Sequence, residues 1–263
     1  MALIHHVVTG EGTPPLVFVH GYACSHTDWR LQVAHFSPRH KTVAVDLPGH
    51  GASPARPEDC TIENCGEGVA DVMRALKLPP AIIFGHSMGC RVALEAALRA
   101  PDHAAAVVLI DGSNFNPAME PVMKARFAAG EAKAIAAGMF EQMFTSRSAP
   151  DVKKGIIDRA TGQSPAFLEH MMLSLIRYDL TKLDATLAAT KKPLMAVQST
   201  FTNERRERST MVKGQNTAYF DLLRSKIPGA RIEIVENVGH FPQLDAPEDT
   251  NAIIASFLRD LRK

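Results

Sequence analysis

Apolar residues fall in short, dense runs separated by longer stretches of helical spacing. Residues 16–20 (LVFVH), 42–45 (TVAV), 81–84 (AIIF) and 107–110 (VVLI) are such runs, each followed closely by Gly, Pro or Asp. An apolar run too short for a helix describes a strand buried on both faces, as in a parallel sheet. Residues 66–78 and 90–99 space their apolar positions as helices do, and a proline follows each soon after. Strands alternating with helices imply βαβ units, so the pattern predicts an α/β fold with a mostly parallel sheet flanked by helices.

The rhythm breaks after Asp111. Residues 114–190 contain no clear buried strand and read as several helices around Pro117, Pro121, Pro150 and Pro165. The expectation is a helical cap inserted into an α/β core formed by residues 1–113 and 191–263. Six of the eleven methionines (Met119, Met123, Met139, Met143, Met171, Met172) lie in this segment, with Phe127, Phe140, Phe144 and Phe167. Together these side chains could present an adaptable apolar surface, although for any one of them packing between cap helices is the simpler role. The strand pattern resumes at 193–197 and 231–235, and residues 251–261 form an amphipathic closing helix.

Composition narrows the partners. With 29 Lys and Arg against 28 Asp and Glu, and an isoelectric point near 7.8, the chain carries no field suited to nucleic acid or an anionic membrane. A small neutral substrate is expected. The four cysteines (Cys24, Cys60, Cys65, Cys90) lack metal-type spacing and read as reduced thiols, with no metal or cofactor implied. No basic head precedes an apolar run at the N-terminus, and the longest apolar stretch, near 104–110, falls far short of the ~20 residues that cross a bilayer. These features predict a cytoplasmic protein and leave its oligomeric state open.

The segment Ile82-Ile83-Phe84-Gly85-His86-Ser87-Met88-Gly89-Cys90 combines a buried strand, a G-x-S-x-G turn and the opening of a helix. A serine hydroxyl that attacks a carbonyl must project from its scaffold. The tight turn that projects it needs Gly85 and Gly89 as side-chain-free neighbours, and the helix that follows aims its first N–H groups at a developing oxyanion. Ser87 is therefore the candidate nucleophile, the alternative being a structural turn serine. Val17-Phe18-Val19-His20-Gly21-Tyr22 ends a second strand in a glycine turn, making the Tyr22 N–H, with the Met88 N–H, the candidate oxyanion donors. His20 reads as a structural hydrogen-bonding residue. A base should come late in the chain, and His240, in Val238-Gly239-His240-Phe241-Pro242 after the last strand, meets that order. His86, beside the serine, is expected to point elsewhere.

With these landmarks the chain resembles the α/β-hydrolase superfamily, in its esterase, lactonase and carbon–carbon hydrolase branch. The resemblance rests on His20-Gly21 with Trp29 downstream, Asp46-Leu47-Pro48-Gly49-His50-Gly51, Gly85-His86-Ser87-Met88-Gly89 and Gly239-His240-Phe241-Pro242. It implies the α/β-hydrolase fold and hydrolytic chemistry. It also implies a triad acid in the loop after strand 193–197, where this chain reads Gln198-Ser199-Thr200-Phe201-Thr202-Asn203-Glu204-Arg205. Thr202 falls where the acid would stand, and neither it nor Asn203 carries a charge. Two replacements suggest themselves. Glu204 could reach in from a bulged loop, whereas Asp111 occupies the strand end from which some haloalkane-dehalogenase-like relatives supply their acid. Asp111 is favoured because it needs no assumed loop geometry; its bland alternative is a hinge or helix cap before Gly112-Ser113.

Arg205-Arg206-Glu207-Arg208 reads as a solvated charged face, and Asp46 as a carboxylate that fixes its turn. The leading expectation is a serine hydrolase that cleaves a small apolar carboxylic ester or lactone through an acyl-enzyme. Hydrolysis of a carbon–carbon bond in a ring-fission product would need a group to hold an enolate or carboxylate, and the sequence places none in the pocket. Ser87, where a carboxylate nucleophile would stand, argues against dehalogenase and epoxide-hydrolase chemistry. A receptor that binds without turnover is the alternative from another class.

Overall fold

A computed structural model describes residues 3–203 and 207–262. Its sheet has the order β1 (His6–Thr9), β3 (Thr42–Val45), β2 (Leu16–Val19), β4 (Ala81–His86), β5 (Ala104–Ile110), β6 (Leu194–Gln198) and β9 (Arg231–Ile234). All neighbours run parallel except β1, which pairs antiparallel with β3 at the edge. A second, two-stranded element, β7 (Thr200–Thr202) and β8 (Arg208–Thr210), stands beyond the end of β6.

Successive side chains of a strand point to opposite faces, and here both faces are covered. Val17, Val19, Val43, Val45, Ile83, Val107 and Leu109 face one core, which α2 (Ile62–Ala75) and α3 (Gly89–Arg99) help to close. Leu16, Phe18, Ala44, Ile82, Phe84, Val108 and Ile110 face the other, closed by α1 (Arg30–Phe36) and α11 (Pro247–Asp260). Trp29 fills that second layer against Phe18, with ring centroids 5.0 Å apart. Double-sided burial explains why β2 and β3 read as unbroken apolar runs.

Boundaries differ from the sequence expectation for local reasons. Helix α2 begins at Ile62, four residues before the expected 66, because the Thr61 hydroxyl caps it by accepting from Asn64 N–H at 3.1 Å. Gly66 then lies inside the helix, where a Cβ would stand 2.4 Å from that of Glu95 on α3. Strand β5 starts at Ala104, three residues early, and β1 was not foreseen because its side chains are largely exposed.

Between β5 and β6 the chain forms α4 (Met119–Ala128), α5 (Ala132–Glu141), α6 (Pro150–Gly162), α7 (Pro165–Thr181) and α8 (Leu183–Ala189). A buried ion pair ties this segment to the sheet layer: Arg91 of α3 donates to Asp179 of α7 through Nε at 2.9 Å and Nη2 at 2.7 Å. After the β7–β8 hairpin, α9 (Ala218–Lys226) leads into β9, and α10 (Pro242–Asp245) follows the loop that carries His240. Among the described residues no helix is long and apolar enough to cross a membrane.

Candidate active site

Ser87 sits where β4 ends and α3 begins, at φ 55°. That left-handed conformation is unfavourable for a residue with a Cβ, and close packing on every side holds it. A Cβ on Gly85 would lie 2.1 Å from the Gly89 carbonyl oxygen, and one on Gly89 would lie 2.5 Å from that of His20. Ser87 N–H donates to Ile110 O at 2.9 Å, which fixes the turn against the end of β5.

The next residue after β5 is Asp111, also left-handed at φ 46°. Its carboxylate receives five hydrogen bonds. Oδ1 accepts from Ser199 N–H (2.7 Å), Ser199 Oγ (3.1 Å) and Thr200 N–H (2.8 Å), and Oδ2 from Thr200 Oγ1 (2.5 Å) and His240 Nδ1 (2.5 Å). His240 Nε2 in turn receives the Ser87 hydroxyl at 2.8 Å. The structure thus brings Ser87, His240 and Asp111 into one chain of hydrogen bonds. Glu204, the other candidate acid, lies outside the described residues. Thr202 is on β7, paired across the hairpin with Arg208.

The His240 loop is held at both of its backbone polar groups. Its N–H donates to Met143 O at 2.7 Å, between α5 and α6, and its carbonyl accepts from His86 Nε2 at 2.8 Å. The His86 side chain therefore supports the loop from below, a role that no local sequence signal announces because its partner is 154 residues away.

Electrostatics favour the ionisation states that proton transfer needs. Burial, reinforced by the nearby Arg208 charge, lowers the His240 pKa to about 4 against the pull of Asp111, so the ring is neutral at pH 7. Burial alone would raise the Asp111 carboxyl, but its bonds to His240 and Thr200 and the Arg208 charge outweigh it and hold Asp111 below the usual range. A neutral His240 with its Nδ1–H turned to Asp111 leaves Nε2 free to take the serine proton.

Tyr22 and Met88 line the same cavity as Ser87 and His240. Among the described residues, neither backbone N–H has an acceptor. Phe115, Met139, Phe140, Met143, Met172 and Leu175, all from the segment between β5 and β6, form the apolar wall, so part of the Met and Phe set faces the cavity while Met171 and Phe127 are buried in the core.

One expectation is corrected. Arg208, assigned to a solvated charged face with its neighbours, is only 18% exposed and lines this cavity. Strand β8 turns it inward opposite Thr202, and Nη1 donates to Thr200 Oγ1 at 2.6 Å. Arg205 and Arg206 lie outside the described residues.

Two other histidines are structural by geometry. His20 accepts from Leu47 N–H (3.1 Å) and bonds Gly21 O (2.8 Å), while His50 accepts from Ala23 N–H (3.1 Å). Asp46 anchors its turn through Ala52 N–H and His26 N–H. His5, His26 and Asp46 gather ligand-type atoms within 4.8 Å, but each ring contacts the carboxylate at 3.0 Å, a hydrogen-bond length. All four cysteines are buried free thiols.

A buried serine–histidine–carboxylate chain at the ends of parallel strands defines a class of nucleophilic enzyme scaffolds shared by many sequences. The chain belongs to the alpha/beta hydrolase family, whose pattern it matches over residues 16–253. It is 26% identical, over 98% of its length and 85% of the other, to the mouse sn-1-specific diacylglycerol lipase ABHD11. It is 25% identical to the dihydrolipoyllysine-residue acetyltransferase component of the acetoin cleaving system of Pseudomonas putida, covering 95% of this chain but spanning only 65% of that protein's length. Its fold is that of a thermophilic esterase from Thermogutta terrifontis, with a TM-score of 0.81, 22% identity, and 99% and 94% of the two chains covered.

Proposed function

We propose that the protein is a serine hydrolase that cleaves a small carboxylic ester or lactone through an acyl-enzyme. The observation that carries this reading is the continuous Ser87–His240–Asp111 relay, with contacts of 2.8 and 2.5 Å, opening into a cavity. His240 takes the Ser87 proton as Oγ attacks the carbonyl, and Asp111 stabilises the imidazolium that forms. The Tyr22 and Met88 N–H groups receive the oxyanion. His240 then protonates the leaving alcohol, and water, activated by the same ring, releases the acid. Residues 114–190 act as a cap over a core of 1–113 and 191–263, with the Met and Phe wall holding the apolar part of the substrate. This chemistry asks for no metal or cofactor.

The test is turnover of p-nitrophenyl acetate and butyrate by wild type beside Ser87→Ala and His240→Ala. Wild-type turnover that falls at least a thousandfold in both variants is expected. An inert wild type that is nonetheless stabilised by such ligands would favour the receptor reading.

A further inference from the structure

A guanidinium offers five N–H donors in a fixed planar fork. Among the described residues only Nη1 of Arg208 is engaged, with Thr200 Oγ1 at 2.6 Å and His240 Nδ1 at 3.0 Å. The second contact is not a hydrogen bond while His240 donates from Nδ1 to Asp111, since both nitrogens then carry protons. Asp111 itself is 3.6 Å away, and its oxygens are already occupied by Ser199, Thr200 and His240. Among the described residues, Nε and Nη2 of Arg208 meet no acceptor.

The Arg208 side chain is 18% exposed and lines the cavity, so water can reach its open donors there, and an anion that replaces that water would complete the fork with charge-assisted hydrogen bonds. The comparison with Arg91 makes the point within the same cavity. Arg91 also lines it, but Asp179 takes Nε and Nη2 together, so its charge and geometry are satisfied by the fold. Among the described residues Arg208 has only Asp111, paired with Nη1 at 3.6 Å, and no carboxylate takes its Nε and Nη2; it lines the cavity beside the reacting pair.

We propose that Arg208 binds a carboxylate carried by the substrate, so that the site takes an ester or lactone bearing a free carboxylate close to its scissile bond rather than a wholly neutral one. The proposal rests on the serine-hydrolase reading for its reacting group, and it narrows the substrate class. The planar fork can receive both oxygens of the carboxylate side by side through Nε and Nη2. The rest of the substrate then lies along Met139, Phe140, Met172 and Leu175. Hydrolysis releases a product that still carries this carboxylate, so the anionic product should compete with substrate for Arg208.

The experiment measures binding first and turnover second. Calorimetry on Ser87→Ala compares monomethyl succinate with dimethyl succinate, which places the anion on the acyl side, and O-acetylglycolate with its methyl ester, which places it on the alcohol side. At least one anionic member should bind at least tenfold more tightly than its neutral partner. Ser87→Ala/Arg208→Gln should lose that advantage and Ser87→Ala/Arg208→Lys keep part of it. Equal affinity within both pairs, or an advantage that survives Arg208→Gln, would overturn the proposal, and so would no measurable binding of any of the four. Wild-type turnover of the same compounds separates the two claims: an anion preference without turnover removes the hydrolase reading alone, and turnover without preference removes the role of Arg208 alone.

Discussion

Asp111→Asn isolates what the buried carboxylate does, because the replacement keeps its shape. Two backbone donors, Ser199 N–H at 2.7 Å and Thr200 N–H at 2.8 Å, fix an oxygen at the Oδ1 position. The asparagine NH₂ must then occupy the Oδ2 position and face His240 Nδ1, where it can only donate. His240 responds by moving its proton to Nε2, and in that tautomer it cannot accept the Ser87 proton. Arg208 reinforces the wrong tautomer, since its Nη1, 3.0 Å from Nδ1, becomes a true donor once Nδ1 is unprotonated. A tautomer trap of this kind costs on the order of 10³–10⁴ in kcat, or ~4–5.5 kcal/mol of transition-state stabilisation. Stability should fall far less, because Ser199 and Thr200 N–H still hold the side chain, although the pairing of its charge with His240 and Arg208 is lost. The assay is kcat on p-nitrophenyl acetate with urea denaturation alongside, and ¹⁵N shifts of His240 report the tautomer directly. Activity within tenfold of wild type, or a steeper fall in Glu204→Gln than in Asp111→Asn, would refute this assignment of the acid.

Other consequences are equally open to measurement. Burial lowers the pKa of His50 to about 4, of His86 to about 3 and of His240 to about 4. The unfolded chain therefore binds protons at these sites below pH ~6.5 that the folded chain refuses, so their contribution to stability is intact above that pH and is lost as pH falls toward 4, by roughly 3 kcal/mol each; urea midpoints across pH 4–8 read this slope. While the protein stays folded, kcat/KM should hold flat from pH 8 to roughly 5, since His240 stays neutral there. Gly85→Ala should cost roughly 3 kcal/mol or more, its methyl falling 2.1 Å from a backbone oxygen, whereas Gly138→Ala, with nothing within 4 Å, should stabilise α5 by up to ~1 kcal/mol. Asp179→Ala should destabilise by ~3–5 kcal/mol, because it strands the buried Arg91, and a thermal melt beside Asp221→Ala, at an exposed position of α9, gives the comparison.

Much of this architecture was legible because its signals are local. β2, β4 and the core of β5 announce themselves as apolar runs, and the turn around Ser87 is written in Gly85 and Gly89, whose missing side chains the packing requires. Asp111 could be proposed as acid by topology, since β5 and β6 are neighbours and the end of one lies beside the loop of the other. What the sequence hid depends on long-range contact. The support of the His240 loop by His86 and Met143 joins residues far apart in the chain. Arg208 was misread because RRER looks like a solvated charge run, and only the register of a three-residue strand turns Arg208 inward. Edge strand β1 escaped for the converse reason, its exposed side chains giving no buried pattern.

The central claim is that Ser87 forms a covalent acyl-enzyme. Its most direct test is intact-mass analysis of the protein treated with an alkyl fluorophosphonate, followed by peptide mapping. The account predicts one adduct per chain, on the peptide holding Ser87, absent in Ser87→Ala and slowed at least a hundredfold in His240→Ala. A folded wild type that gains no adduct, or carries it on another residue, would contradict it.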